Sequence, residues 1–133
     1  MDGIRIIESK KYIDEMCKVV DIENPERLEV LSRKQLEVIF EGLLCNIDCI
    51  DYFLAHPSLN EFQMDEVLDG MRYGVDYTIY ADESIDWKKM MILKILLING
   101  FTGDELESKG LLDPSLSWFV INIMARDSAL LAG

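Results

Sequence analysis

Cys45 and Cys49, four residues apart, and His56, the only histidine, are the side chains best suited to hold a metal ion. A structural zinc site needs a fourth ligand, which here would have to be a carboxylate. Two cysteines at this spacing near the end of an apolar helix also serve as small buried hydrophobes, and that reading is preferred. His56 precedes Pro57 in a turn-like stretch. A catalytic histidine would need a nucleophile or carboxylate partner, and no Gly-x-Ser-x-Gly or Cys-His signature supplies one. The neighbouring acids Asp65–Glu66 and Asp82–Glu83 suit acid–base chemistry only if they face each other. Adjacent residues on a helix do not, and acids near helix starts are favoured there by the helix dipole. Neither a P-loop nor a Gly-x-Gly-x-x-Gly stretch is present to cradle phosphate. The expectation is therefore a protein that is not an enzyme, with no cofactor and no metal.

The charge distribution carries more. Between residues 35 and 87 twelve acids face the single base Arg72, a local charge of −11 within a net charge of −12. Concentrated like charge opposes folding by self-repulsion and repels nucleic acid and anionic lipid. A solvated outer face would account for it. The sharper expectation is a surface that meets a basic protein through complementary potential, with Asp65, Asp69, Asp76, Asp82 and Glu83 as the partner-binding residues.

The elements that must present these acids follow from local chemistry. The chain has 133 residues, half of them apolar, enough for one domain with its own core. Residues 35–43, Gln-Leu-Glu-Val-Ile-Phe-Glu-Gly-Leu, align with residues 63–71, Gln-Met-Asp-Glu-Val-Leu-Asp-Gly-Met. Linkers at 56–60, 82–86 and 113–117 share a serine, an aliphatic residue and then a residue able to cap a helix. Helix starts are expected at Ser32, Asn60, Asp86 and Ser117, where a side-chain oxygen accepts from the first turn. Leu31, Leu59, Ile85 and Leu116 precede the caps, and Leu36, Met64, Met90 and Ile121 follow four residues later, the pattern of a hydrophobic staple. Gly74 and Gly100 suit the left-handed residue that closes a helix, with Asn46 in the equivalent place. The segments 49–55 and 77–81 are expected as short second helices or 3-10 turns. Residues 13–20 read as a short helix, and Asn24-Pro25-Glu26 opens another with Asn24 as its cap.

Burial follows from composition. Residues 87–98 are apolar on nearly all sides, which suits a helix between neighbours. The last helix, from Trp118, is similarly apolar although a terminal helix should have a polar outer face. Either the helix folds back into the core, or its outer face, with Trp118, Phe119 and Met124, meets a second subunit or a partner.

The stretch Gln63-Met64-x-Glu66-Val67-x-x-Gly70-Met71-x-x-Gly74-Val75-Asp76, then Tyr80-Ala81 and Ile85-Asp86-Trp87, resembles a short helical repeat of accessory and mobile-element proteins of gut Firmicutes. The resemblance covers about residues 32–101. It implies a repeat architecture and carries no activity for any residue.

The sequence thus predicts an all-α single domain of about five to seven helices, a short solenoid-like stack. Residues 1–31 would form an N-terminal cap, 32–101 the repeats and 102–133 a C-terminal cap. The expected function is non-enzymatic protein binding, the acidic face docking a basic partner such as a nuclease. Its concrete form is an inhibitor that mimics the charge of nucleic acid, in the manner of anti-CRISPR proteins. The alternative is a self-assembling scaffold, with a homodimer through the last helix. The N-terminus lacks the features of a signal peptide and three cysteines make an odd number, so a cytoplasmic location is expected.

Overall fold

The computed structural model describes residues 2–132, with side chains over residues 7–127. Among these every regular element is helical, so the fold is all-α. The helices are α1 (Asp2–Cys17), α2 (Arg33–Leu44), α3 (Ile50–Ala55), α4 (Glu61–Tyr73), α5 (Trp87–Ile98), α6 (Gly103–Ser108) and α7 (Trp118–Ala132), with 3-10 turns at Pro25–Val30 and Tyr77–Ile79. The chain divides into two compact units, Met1–Leu68 and Asp69–Gly133, the boundary falling inside α4. No helix among the described residues is long and apolar enough to cross a membrane.

In the first unit α1 packs on the 3-10 turn and on α2. Its core holds Met16, Leu28, Leu31, Leu36, Ile39 and Phe53, all essentially inaccessible. Helix α2 starts where Ser32 Oγ accepts from Gln35 N–H at 3.2 Å while Gln35 Oε1 accepts from Ser32 N–H at 2.9 Å. Helix α4 repeats this reciprocal cap with Asn60 and Gln63, at 2.9 and 3.0 Å. Each pair satisfies two N–H groups that a helix start otherwise leaves open. The Gln35 amide also donates onward to the carbonyls of Pro57, at 3.1 Å, and Leu59, at 2.7 Å. One buried side chain thereby closes its own helix start and ties down the linker that opens the next one.

The second unit reuses the scheme with different residues. Asp86 accepts from Lys88 N–H at 2.8 Å to start α5, and Ser117 accepts from Val120 N–H at 3.4 Å to start α7. Lys89 occupies the position that Gln35 and Gln63 hold, three residues past the cap, and its ammonium donates to the carbonyls of Asp113, at 2.8 Å, and Leu116, at 3.3 Å. Leu116 stands in its linker where Leu59 stands in the earlier one. Helix α5 packs against α7, burying Met90, Leu93 and Ile121.

Helix ends recur in register as well. Asn46, Gly74 and Gly100 each lie fourteen residues past a cap, and all have positive φ, at 60°, 72° and 98°. The next N–H then reaches back to a carbonyl five residues earlier: Ile47 to Gly42, Val75 to Gly70 and Phe101 to Leu96, at 2.9–3.1 Å. That is the helix-closing bond of the Schellman motif. Gly42 and Gly70 share a second register and permit close approach. A Cβ on Gly42 would come within 2.8 Å of Cys49 Sγ and Leu68 Cδ1, and one on Gly70 would overlap the Tyr80 hydroxyl.

Three local expectations need correction. The first helix runs Asp2–Cys17 rather than 13–20, its amphipathic signal being weakened where Ile7 is exposed and Ser9 is buried. Asn24 sits in the left-handed region with no side-chain capping bond, and the segment after it is a 3-10 turn. Helix α6, inside the expected C-terminal cap, is a separate element opened by Thr102 and Glu105 in a reciprocal cap.

Candidate partner-binding surface

Helix α4 carries two of the expected acids. Asp65 and Asp69 stand one turn apart on its surface, and Asp65 is exposed. Asp69 differs from the expectation of an outward, uncompensated carboxylate. Its two oxygens accept separately from Arg72 Nη1 and Lys94 Nζ, each at 3.0 Å. The Lys94 side chain is only 9 % exposed, so its charge must be balanced locally and Asp69 does this. Asp69 is thus part of the scaffold. Sequence counting missed the pair because Lys94 lies outside the 35–87 span and returns on α5.

The loop between α4 and α5 places the other three. Asp76 opens the 3-10 turn Tyr77–Ile79, accepting from Thr78 N–H at 3.2 Å and from the Thr78 hydroxyl. Asp82 accepts from both Ser84 N–H and Ser84 Oγ at 2.8 Å. Those two donors hold the Asp82 carboxyl below the usual carboxylate range, so it is charged at neutral pH. Glu83 follows it on the same exposed turn. Asp113 and Ser115 repeat the Asp82–Ser84 geometry before α7, at 2.9 and 2.8 Å, and the Asp113 carboxyl is likewise lowered. Such side-chain-to-backbone bonds fix carboxylates in the loop that would otherwise sample many rotamers. Asp76 and Asp82 are held in place, and these two and Glu83 are exposed to solvent.

Bases from outside the acidic span pair with some of its carboxylates. Besides Arg72, the span receives Arg27 on Asp51 at 3.1 Å, Arg33 on Glu37 at 3.5 Å and Lys94 on Asp69. These three bases come from outside residues 35–87, so part of the span's charge is balanced within the molecule. Arg33 also lies over the Tyr12 ring, 5.6 Å from its centroid, beside a cleft of about 330 Å³ lined by Glu8, Lys11, Tyr12, Glu15 and Arg33. The cleft mixes both signs of charge and offers no concentrated field.

The metal-ligand candidates differ in burial. Cys49 is buried with its thiol pushed up to about 12, chiefly by burial, whereas Cys45 and His56 are exposed. The preferred reading as a small buried hydrophobe thus describes Cys49 and not Cys45. The His56 ring lies 4.4 Å from that of Tyr52. No group of three or more His, Cys, Asp or Glu among the described residues is placed to hold a metal ion.

On α7 the expected interface residues differ in exposure. Phe119 is 60 % exposed and Trp118 38 % exposed, with the two rings edge to face at 6.0 Å. The Lys88 ammonium sits 5.1 Å from the Trp118 ring centre and covers part of it. Met124 is half-buried. The apolar surface instead continues through Val120 and Ile123, which sequence reasoning did not single out. Ile123 lies three residues past Val120 and four past Phe119, and that spacing was the available signal. No family model matches this chain, and neither a curated protein nor a solved structure is significantly similar to it.

Proposed function

We propose that this protein is a non-enzymatic protein-binding module whose anionic surface docks a basic partner. The observation that carries this reading is the exposed carboxylates Asp76, Asp82 and Glu83 of the second unit, two of them oriented by Thr78 and Ser84, with Asp65 exposed on the first unit. Oriented charges lose little freedom when a partner's lysines and arginines arrive, and they raise the rate of encounter by attraction at long range. An acidic surface of this kind suits partners that otherwise hold a phosphate backbone, and inhibition of such an enzyme by charge mimicry is its concrete form. The likeness to mobile-element repeats and to anti-CRISPR proteins belongs to this proposal, as does residence in the cytoplasm, which the three free cysteines favour.

The test is binding to a panel of basic nucleic-acid enzymes at ionic strengths from about 0.05 to 0.5 M, where the Debye length shortens severalfold. Affinity that falls steeply with salt, together with competition by DNA, supports charge mimicry. Affinity indifferent to ionic strength refutes it.

A further inference from the structure

We infer that the outer face of α7 is a self-complementary interface through which two copies of this chain form a closed dimer. The inference concerns a surface other than the acidic one. It rests on the register that the helices share. In α2 and α5 the third residue past the cap, Gln35 or Lys89, faces the linker of the following unit and bonds to its carbonyls. One turn further on the same side, Val38 and Ile92 are buried, at 5 % and 7 % exposure. The corresponding residues of α7 are Val120 and Ile123, and they are 39 % and 47 % exposed. The side that receives a following unit in the earlier helices is therefore apolar and open in the last one.

Two observations select the occupant. Val120 has no donor with which to hold linker carbonyls, so this face cannot repeat the helix-on-linker contact made by Gln35 and Lys89. It suits an apolar helix, and the same face of a second α7 is one. An isologous contact of that kind closes as a pair, whereas a repeated helix-on-linker contact would add copies without end. Charge gives the same answer. Two copies of net charge −12 repel unless they meet over neutral ground, and residues 118–127 carry one arginine and one aspartate. A basic partner has no electrostatic reason to prefer this face.

Phe119 supplies the geometry. A groove of about 200 Å³ between α5 and α7 is walled by Ile92, Ile95, Leu96, Asn122, Ala125 and Arg126. An antiparallel crossing of two α7 helices centred on Ile123 sets residue 119 of one copy opposite residue 127 of the other, next to the Arg126 wall. Each Phe119 ring then enters the groove of the other copy, and Ile95 and Phe119 lose their contact with water together.

Sedimentation velocity over about 1–200 µM tests this, on the full chain and on Phe119→Asp and Ile123→Glu, with far-UV circular dichroism to confirm unchanged helix content. The wild type should sediment as a dimer at the upper end. Each variant should raise the dissociation constant by at least about thirtyfold, as truncation of a central interface residue does. Val120→Gln, which restores the donor of the earlier helices, separates closed from open assembly and should weaken the dimer without producing larger species. A wild type that stays monomeric, a variant that dimerises as well as the wild type, or oligomers that keep growing with concentration would overturn the inference.

Discussion

Lys89 gives the sharpest test of the helix register. Its side chain is 4 % exposed, and its ammonium is held by the carbonyls of Asp113 and Leu116. Burial lowers its pKa below the ordinary lysine value, which measures the cost of keeping the charge there. At the same register Gln35 bonds to the Leu59 carbonyl at 2.7 Å and also accepts from its own cap N–H. Lys89→Gln should therefore keep a donor for Leu116, gain an acceptor for Asp86 N–H worth about 0.5–1.5 kcal/mol, and remove a buried charge. The extra unit of net negative charge is largely screened at physiological salt. A net stabilisation of about 1 kcal/mol follows, or roughly 3–5 °C in Tm for a chain of this length. Lys89→Met, similar in volume, leaves the carbonyls without a donor and should destabilise by about 1–3 kcal/mol. Urea unfolding followed by circular dichroism reads both. Because the folded state binds the Lys89 proton less readily than the unfolded one, wild-type stability should rise with pH toward the unfolded lysine value near ~10.4, and the Gln variant should lack that rise. If Gln proves as damaging as Met, the shared register has no energetic meaning.

Other perturbations separate the remaining devices. Gly70→Ala forces a Cβ into the Tyr80 hydroxyl, and Tyr80 is fully buried, so a loss of about 2–4 kcal/mol is expected in thermal unfolding. Asn46→Gly, at a φ of 60°, should stabilise by about 0.5–1 kcal/mol, while Gly100→Ala at 98° should cost at least as much, both measured by denaturant midpoint. Asp82→Asn keeps the turn donors satisfied and removes the titration. The carboxyl is lowered in the folded state, so its contribution is present above the unfolded value near ~3.9 and lost as pH falls through the folded one. The variant should lose stability less steeply below about pH 4, read by acid titration of ellipticity.

Much of the fold was legible because capping is local chemistry. Ser32, Asn60, Asp86 and Ser117 are the caps of α2, α4, α5 and α7, since a polar side chain ahead of an apolar run needs no tertiary help to accept from the first turn. The closing residues Asn46, Gly74 and Gly100 were readable for the same reason. Thr102-Gly103-Asp104-Glu105 carries an equally local signal for α6, which the repeat period has no place for. What the sequence hid was tertiary. Lys94 reaches Asp69 across twenty-five positions, which removed one of five expected acids from the candidate surface. Composition marked α7 as unusually apolar, but only the packing of α5 on α7 distinguished half-buried Met124 from exposed Ile123.

The central claim, that oriented surface carboxylates recruit a basic protein, is tested most directly by paired capture from host lysate at low salt. One column carries the wild type and the other the variant Asp65→Asn, Asp76→Asn, Asp82→Asn, Glu83→Gln, each checked for native helix content. The account predicts a basic protein retained by the wild type, released as salt is raised, and absent from the variant column. The same proteins on both columns, or retention unmoved by salt, would contradict it.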